Sequence, residues 1–287
     1  MLFKSVKTQF LWGIKQRGFI LTFAFNFLLV LFNYIWNVLE FQGMDILEMY
    51  HPAKMILLSY NKTYYSADMA LFFVQLYPIL VVCPATFSIA GEKSAKEHIL
   101  LISRVGSMTY YFSRWISTFG LTAVVFTVPF LLELILNILA FPLAAAGDFS
   151  QWNIYDSQYM DMASHYFFSD LYINNIYIYT IAGILFFGLI SGLLGALTAG
   201  VSAVFRIKYR ITLFLPVFLL LNFTIYLPSL LKELGIIENI KYVTGWYNYL
   251  LLFDGEYKNT PVFAGIVLLL LIISLSCMFF AGKEDCI

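Results

Sequence analysis

The chain has 287 residues, of which 61% are hydrophobic, 19% aromatic and only 12% charged, with 17 basic side chains balancing 17 acidic ones. Soluble domains average about 25% charged residues, so this composition excludes an ordinary soluble domain, and no nucleic-acid partner is expected. Three cysteines, with Cys83 and Cys277 inside apolar runs and Cys286 in the tail, make no disulfide framework.

The first element, over about 2–17, places Phe3, Val6, Phe10 and Ile14 on one helical face and Lys4, Lys7, Lys15 and Arg17 mostly off it. That pattern predicts a helix lying in the headgroup region before the first span. Runs of about 20 apolar residues, long enough to cross ~30 Å of hydrocarbon as helix, follow near 19–39, 69–90, 177–203, 211–231 and 262–281, with a sixth near 115–140. Continuous apolar runs rule out the period-two alternation of a barrel, and lipid leaves unpaired backbone no partner outside helices. The expected fold is an all-α polytopic membrane protein, a single domain over 1–287. No small-residue cleavage site follows the first run at Trp36, Asn37 and Val38, so that run is expected to be a retained span.

Span one carries Asn26, Asn33 and Asn37, which fall within roughly 40° of one another at about 100° per residue. Amides on one stripe avoid lipid and serve either as hydrogen-bonding glue between helices or as substrate contacts. Span two contains Pro78 and Pro84, each of which removes a backbone donor. Span three holds Glu133, an acid costing ~2.5–3.5 kcal/mol at mid-bilayer when ionised, which must be protonated, paired or facing a cavity. Span four repeats small residues four apart, Gly188 with Gly192, Ser191 with Gly195 and Ala196 with Gly200, the pattern of a helix buried among others. Span five is bracketed by Pro216 and Pro228 and carries Asn222. The polar, aromatic segment after it, with Trp246, Tyr247 and Tyr249, is expected to form short helices at or dipping into the outer interface.

Placing both termini in the cytoplasm puts twelve of the 17 basic residues inside, and leaves the loop 141–176 with Asp148, Asp156, Asp161 and Asp170 but no Lys or Arg. This is the asymmetry of the positive-inside rule. The chain has no G-x-x-x-x-G-K-[ST] phosphate loop and no H-E-x-x-H, so neither ATP binding by that device nor a zinc site is expected of it. Catalytic residues are expected to be none, and metal ligands none.

Between spans two and three stands AGEKSAKEHILLISR, residues 90–104, which gathers Glu92, Lys93, Lys96, Glu97 and Arg104 around Ala95, Ile99 and Ile102. Read physically, it is a solvated amphipathic loop helix or a helix presented to a partner's groove. It resembles the corresponding run of the permease subunits of type-2 ATP-binding cassette exporters. Glu92 and Lys93 match that family's opening pair, Leu100 to Ser103 its apolar block and Ser107 its closing Ser, while Lys96, Ile99 and Val105 stand where it has Gly, Glu and Pro. The family's order of elements, an interfacial helix and six spans with a re-entrant region before the last, is similar over essentially the whole chain.

The resemblance implies that Glu92, Lys93, Lys96, Glu97, Ile99, Leu100 and Arg104 belong to a coupling helix seated on a separate ATPase subunit, which binds ATP and Mg. It implies a second permease chain, with Asn26, Asn33, Asn37 and Asn222 lining a route at the dimer interface for an amphipathic or hydrophobic cargo such as a peptide or drug. The location implied is a bacterial cell membrane. Two other readings follow it in order. One is a membrane-embedded immunity or sensor protein without transport; the other is an ion-coupled carrier centred on Glu133.

Overall fold

The computed structural model describes residues 2–46, 49–59, 64–84, 97–143, 161, 164–205, 210–235 and 243–284. The chain is all-helical: α1 (Leu2–Ile14), α2 (Arg17–Glu40), α3 (Tyr64–Leu80), α4 (Glu97–Val105), α5 (Ser107–Val125), α6 (Val128–Ala140), α7 (Ser169–Asn174), α8 (Ile176–Val204), α9 (Leu215–Glu233), α10 (Trp246–Leu250) and α11 (Thr260–Glu284). Four stretches are long and apolar enough to cross a membrane: Arg17–Glu40, Ser107–Ala140 (α5 and α6 together), Ile176–Val204 and Thr260–Glu284. They match the expected spans one, three, four and six and mark a membrane-embedded chain. The expected spans two and five correspond to shorter apolar helices, Met69–Leu80 and Thr212–Leu227. The second stops two residues after Pro78, and the run expected to continue to 90 passes outside the described residues.

α8 sits at the centre because its small residues let neighbours approach. A Cβ on Gly192 would lie 2.8 Å from the Phe119 carbonyl oxygen, and one on Gly200 2.9 Å from that of Ser274, so α5 and α11 pack on it backbone to backbone. Aromatic rings fill the remaining core. Tyr77 stacks on Trp246 with centroids 4.6 Å apart and meets Phe187 at 5.2 Å. Its hydroxyl lies 2.9 Å from Ser191 Oγ, which itself donates to the Phe187 carbonyl. The tyrosine is therefore the donor of that buried bond.

The junction of α5 and α6 shows one cause acting through two elements. Pro129 has no N–H to give the Val125 carbonyl four residues back, and the helix breaks at Phe126 and Thr127. Asn26 Nδ2 of α2 donates to that same carbonyl at 3.3 Å. A side chain from the next helix thus satisfies an acceptor that lipid would leave bare.

Two short segments outside the long helices enter the bundle at the end where α2 and α6 finish. Residues 53–58 are buried, as are Leu250 to Phe253. The two touch through an isolated bridge between Ser59 and Leu252, with Leu252 N donating to the Leu58 carbonyl at 2.9 Å. Irregular backbone at such depth is tolerated only where protein surrounds it.

Candidate functional site: a buried polar network and an open helical notch

The Asn stripe faces inward. Ile20, Leu21, Leu28, Ile35 and Leu39 are exposed on the other side of α2, while Asn26, Asn33 and Asn37 are buried. Asn33 Nδ2 donates to the Met55 carbonyl at 3.0 Å and to Glu133 Oε1 at 2.6 Å; Asn37 Nδ2 donates to Met55 at 2.9 Å. Glu133, with 0% of its surface exposed, also accepts from Leu57 N at 2.9 Å. The three groups therefore hold the entering segment by the backbone at Met55 and Leu57. Ahead of it, His51 Nδ1 accepts from Ala53 N at 3.2 Å and starts the turn at Pro52. This arrangement is a scaffold for irregular backbone. Asn222 lies on α9, half-buried, donating to the Phe218 carbonyl of its own helix at 2.9 Å.

Beside the second entering segment stands a buried charged pair. Lys258 Nζ lies 3.5 Å from Asp254 Oδ2, with side chains only 4% and 1% exposed. Burial pulls the lysine below its ordinary value, opposed by the Asp254 charge. His165 closes the cluster: its Nδ1 is 2.7 Å from the Gly255 carbonyl, and its ring sits 3.8 Å from that of Tyr257.

The opposite end of the bundle is built differently. α4 meets α5 through Gly106, whose φ of 86° is a left-handed turn that favours glycine. The turn is fixed by Gly106 N donating to the Ile102 carbonyl at 2.8 Å and by Tyr110 N donating to Gly106 at 3.0 Å. Across it, Ser107 Oγ donates to the Gly282 carbonyl near the end of α11. Ile99 and Leu100 on α4 are 55% and 65% exposed, and Arg104 is exposed beside them. Glu97 begins the helix, while Glu92, Lys93 and Lys96 lie outside the described residues.

α1 runs beside α5 rather than standing alone in the headgroup layer. Ser5 Oγ is 2.9 Å from Ser113 Oγ, Ser117 Oγ donates to Gln9 Oε1 at 3.4 Å, and Gly13 faces Leu121, so the two helices advance together. Phe10, on the apolar face read from the sequence, packs toward Gly120, where a Cβ would meet its ring at 3.2 Å. Phe3 and Ile14 stay exposed. Ser107–Ala140 is 34 residues, so α5 and α6, broken at Phe126 and Thr127, are together longer than the ~20 residues one crossing needs. The excess length lets one end leave the hydrocarbon, and the end rich in polar and aromatic side chains, Tyr110 to Trp115, is the one suited to headgroup depth. Between α1, α4 and α5 lies a cavity of about 380 Å3 lined by Trp12, Leu100, Leu101, Arg104, Tyr110 and Arg114. Arg114 is buried, with its guanidinium carbon 5.5 Å from the centre of the Trp12 ring.

No protein-family model matches the chain, and no curated protein or solved structure matches it. Fold and site together define a class, an all-helical membrane-embedded protein with a polar scaffold at one end and a presented helix at the other.

The entering segment 51–59, the Lys258–Asp254 pair and the cavity had no counterpart in the sequence reading. The run Met55-Ile56-Leu57-Leu58 behind a Pro was the available signal, since four successive apolar residues in a loop call for burial.

Proposed function

We propose that this chain is the transmembrane subunit of an ATP-binding cassette exporter. In this reading α3 and α9 complete six crossings, α1 is the interfacial helix and the Gly106 end faces the cytoplasm with both termini. A separate ATPase subunit binds ATP and Mg, and its closure drives two permease chains between inward and outward access. The cargo is amphipathic or hydrophobic, and a bacterial cell membrane is the setting.

One observation carries the reading: α4 holds Ile99, Leu100 and Arg104 out to solvent on a helix anchored to a span by a tight turn. An apolar ridge with a charge beside it is what a helix-binding groove recognises, and a short rigid turn transmits a push into α5. The inward-facing Asn stripe moves the expected lining of the route toward other surfaces of α2 and toward α9.

The test is purification of the tagged chain from its native host in mild detergent, with ATP hydrolysis measured on what co-elutes. A co-purifying subunit with vanadate-sensitive activity, lost on reversing Glu92 and Glu97 to Lys, supports the proposal. Unchanged ATP-driven transport in the double reversal sinks the coupling role. A clean, inactive preparation in several detergents moves the reading to an immunity or sensor protein.

A further inference from the structure

We infer that the cavity between α1, α4 and α5 is a binding site for one anionic phospholipid, its phosphate at the exposed Arg104 and an acyl chain along Leu101 and Trp12. The volume of about 380 Å3 falls within the ~300–1,000 Å3 of ligand pockets. Most of its wall area is apolar, with Thr8, Gln9, Arg104 and Arg114 as its polar groups. Among the described residues, both charged side chains lining it are guanidiniums. The planar donor fork of the exposed Arg104 suits a phosphate, and its weak hydration lowers the cost of placing it against apolar surface.

Depth points the same way. The cavity lies along the turns of α5 that the length argument puts at the headgroups, and Trp12 and Tyr110 are amphipathic aromatics suited to that layer. Lys4 and Lys7 are exposed on α1 and add positive charge at the same end. A soluble anion would use Arg104 but leave the apolar walls uncovered. A phospholipid covers both.

The site also explains how α1 and α4 are positioned. α1 is tied to α5 through Ser5 and Gln9, α4 is tied to α5 through Gly106, and the cavity separates the two. A lipid lodged there is the filler that fixes the angle of α4 to the span. This inference does not depend on the export reading; if that reading holds, lipid charge sets how firmly the coupling helix is seated.

Bromine quenching of Trp12 tests it. The full chain is reconstituted in phosphatidylcholine vesicles with a graded fraction of dibrominated phosphatidylglycerol or dibrominated phosphatidylcholine. Subtracting the Trp12→Phe variant isolates the signal. Trp12 is expected to be half-quenched at a mole fraction of brominated phosphatidylglycerol about tenfold lower than for phosphatidylcholine, the ratio one charge-assisted contact gives. Arg104 is exposed, so Arg104→Gln keeps the fold and is expected to remove most of that preference. Native mass spectrometry of the detergent-solubilised protein is expected to retain one phosphatidylglycerol, lost in Arg104→Gln and not displaced by excess inorganic phosphate. Equal quenching by the two lipids, or an unaltered preference in Arg104→Gln, overturns the assignment, and displacement by phosphate reassigns the site to a free anion.

Discussion

The two ends of the bundle treat polar groups in opposite ways. Where α2 and α6 finish, Asn33, Asn37 and Glu133 are buried and bonded to the backbone of a segment that folds back between the helices. Where α4 turns into α5, Arg104, Ile99 and Leu100 face outward beside an apolar cavity. The difference follows from solvent. Irregular backbone inside a membrane protein must find its partners within the protein, whereas a helix at the interface can leave its surface for something else to meet. Polar residues in such a chain thus divide into those that make the fold possible and those available for binding, and burial separates the two.

The largest effect is expected at Glu133. Glu133→Leu removes the acceptor of Leu57 N and one of the two acceptors of the Asn33 amide, which keeps the Met55 carbonyl, and a buried donor left unsatisfied costs about 1–3 kcal/mol. Glu133→Gln keeps an oxygen in place and is expected to cost about 1–2 kcal/mol. Unfolding in mixed micelles gives the magnitude, and protease access to 51–59 reports whether the segment has left the bundle. A Leu variant as stable as the parent chain would remove the scaffold from the comparison.

A smaller effect sharpens it. If Asn26 is there because Pro129 orphans the Val125 carbonyl, then the two residues are coupled. Asn26→Ala alone is expected to cost about 0.6–1.7 kcal/mol, the range of interhelical hydrogen bonds in membranes. In a Pro129→Ala background the helix supplies its own donor and the cost should fall close to zero. Additive single and double variants would show that Asn26 acts for another reason.

Much of the fold was legible because lipid imposes one rule on long apolar runs. The runs near 19–39, 115–140, 177–203 and 262–281 became Arg17–Glu40, Ser107–Ala140, Ile176–Val204 and Thr260–Glu284, and the Gly188–Gly200 repeat became the packing face of α8. Periodicity also placed the Asn stripe on one side of α2, but it could not say which side faces protein, because that depends on a partner elsewhere in the chain. Met55 to Leu58 illustrates the same limit. Four apolar residues call for burial, yet the groups that make it possible, Asn33, Asn37 and Glu133, come from two other helices. Pro129 is the intermediate case: the break was readable from the residue, its compensation by Asn26 was not. The open notch was legible only as a charged interruption, since a cavity arises from how three helices meet.

The smallest expected effect on stability carries the most about function. Leu100→Gln changes a side chain that is 65% exposed, and substitutions at such positions stay within about ±0.5 kcal/mol. Helix propensity differs little between the two residues, and the Gly106 turn is untouched. If α4 is a docking element, the same change replaces part of its apolar ridge with an amide that a partner's groove must desolvate. Unfolding in micelles should therefore register no difference, while ATP hydrolysis stimulated by this chain should fall. Measuring both on one preparation separates the outcomes. Loss of stability would mean that α4 is packed like the opposite end. Unaltered stability with unaltered ATP hydrolysis would leave Leu100 outside the contact and shift the docking surface to Ile99, whose exposure of 55% makes Ile99→Asn the matching variant.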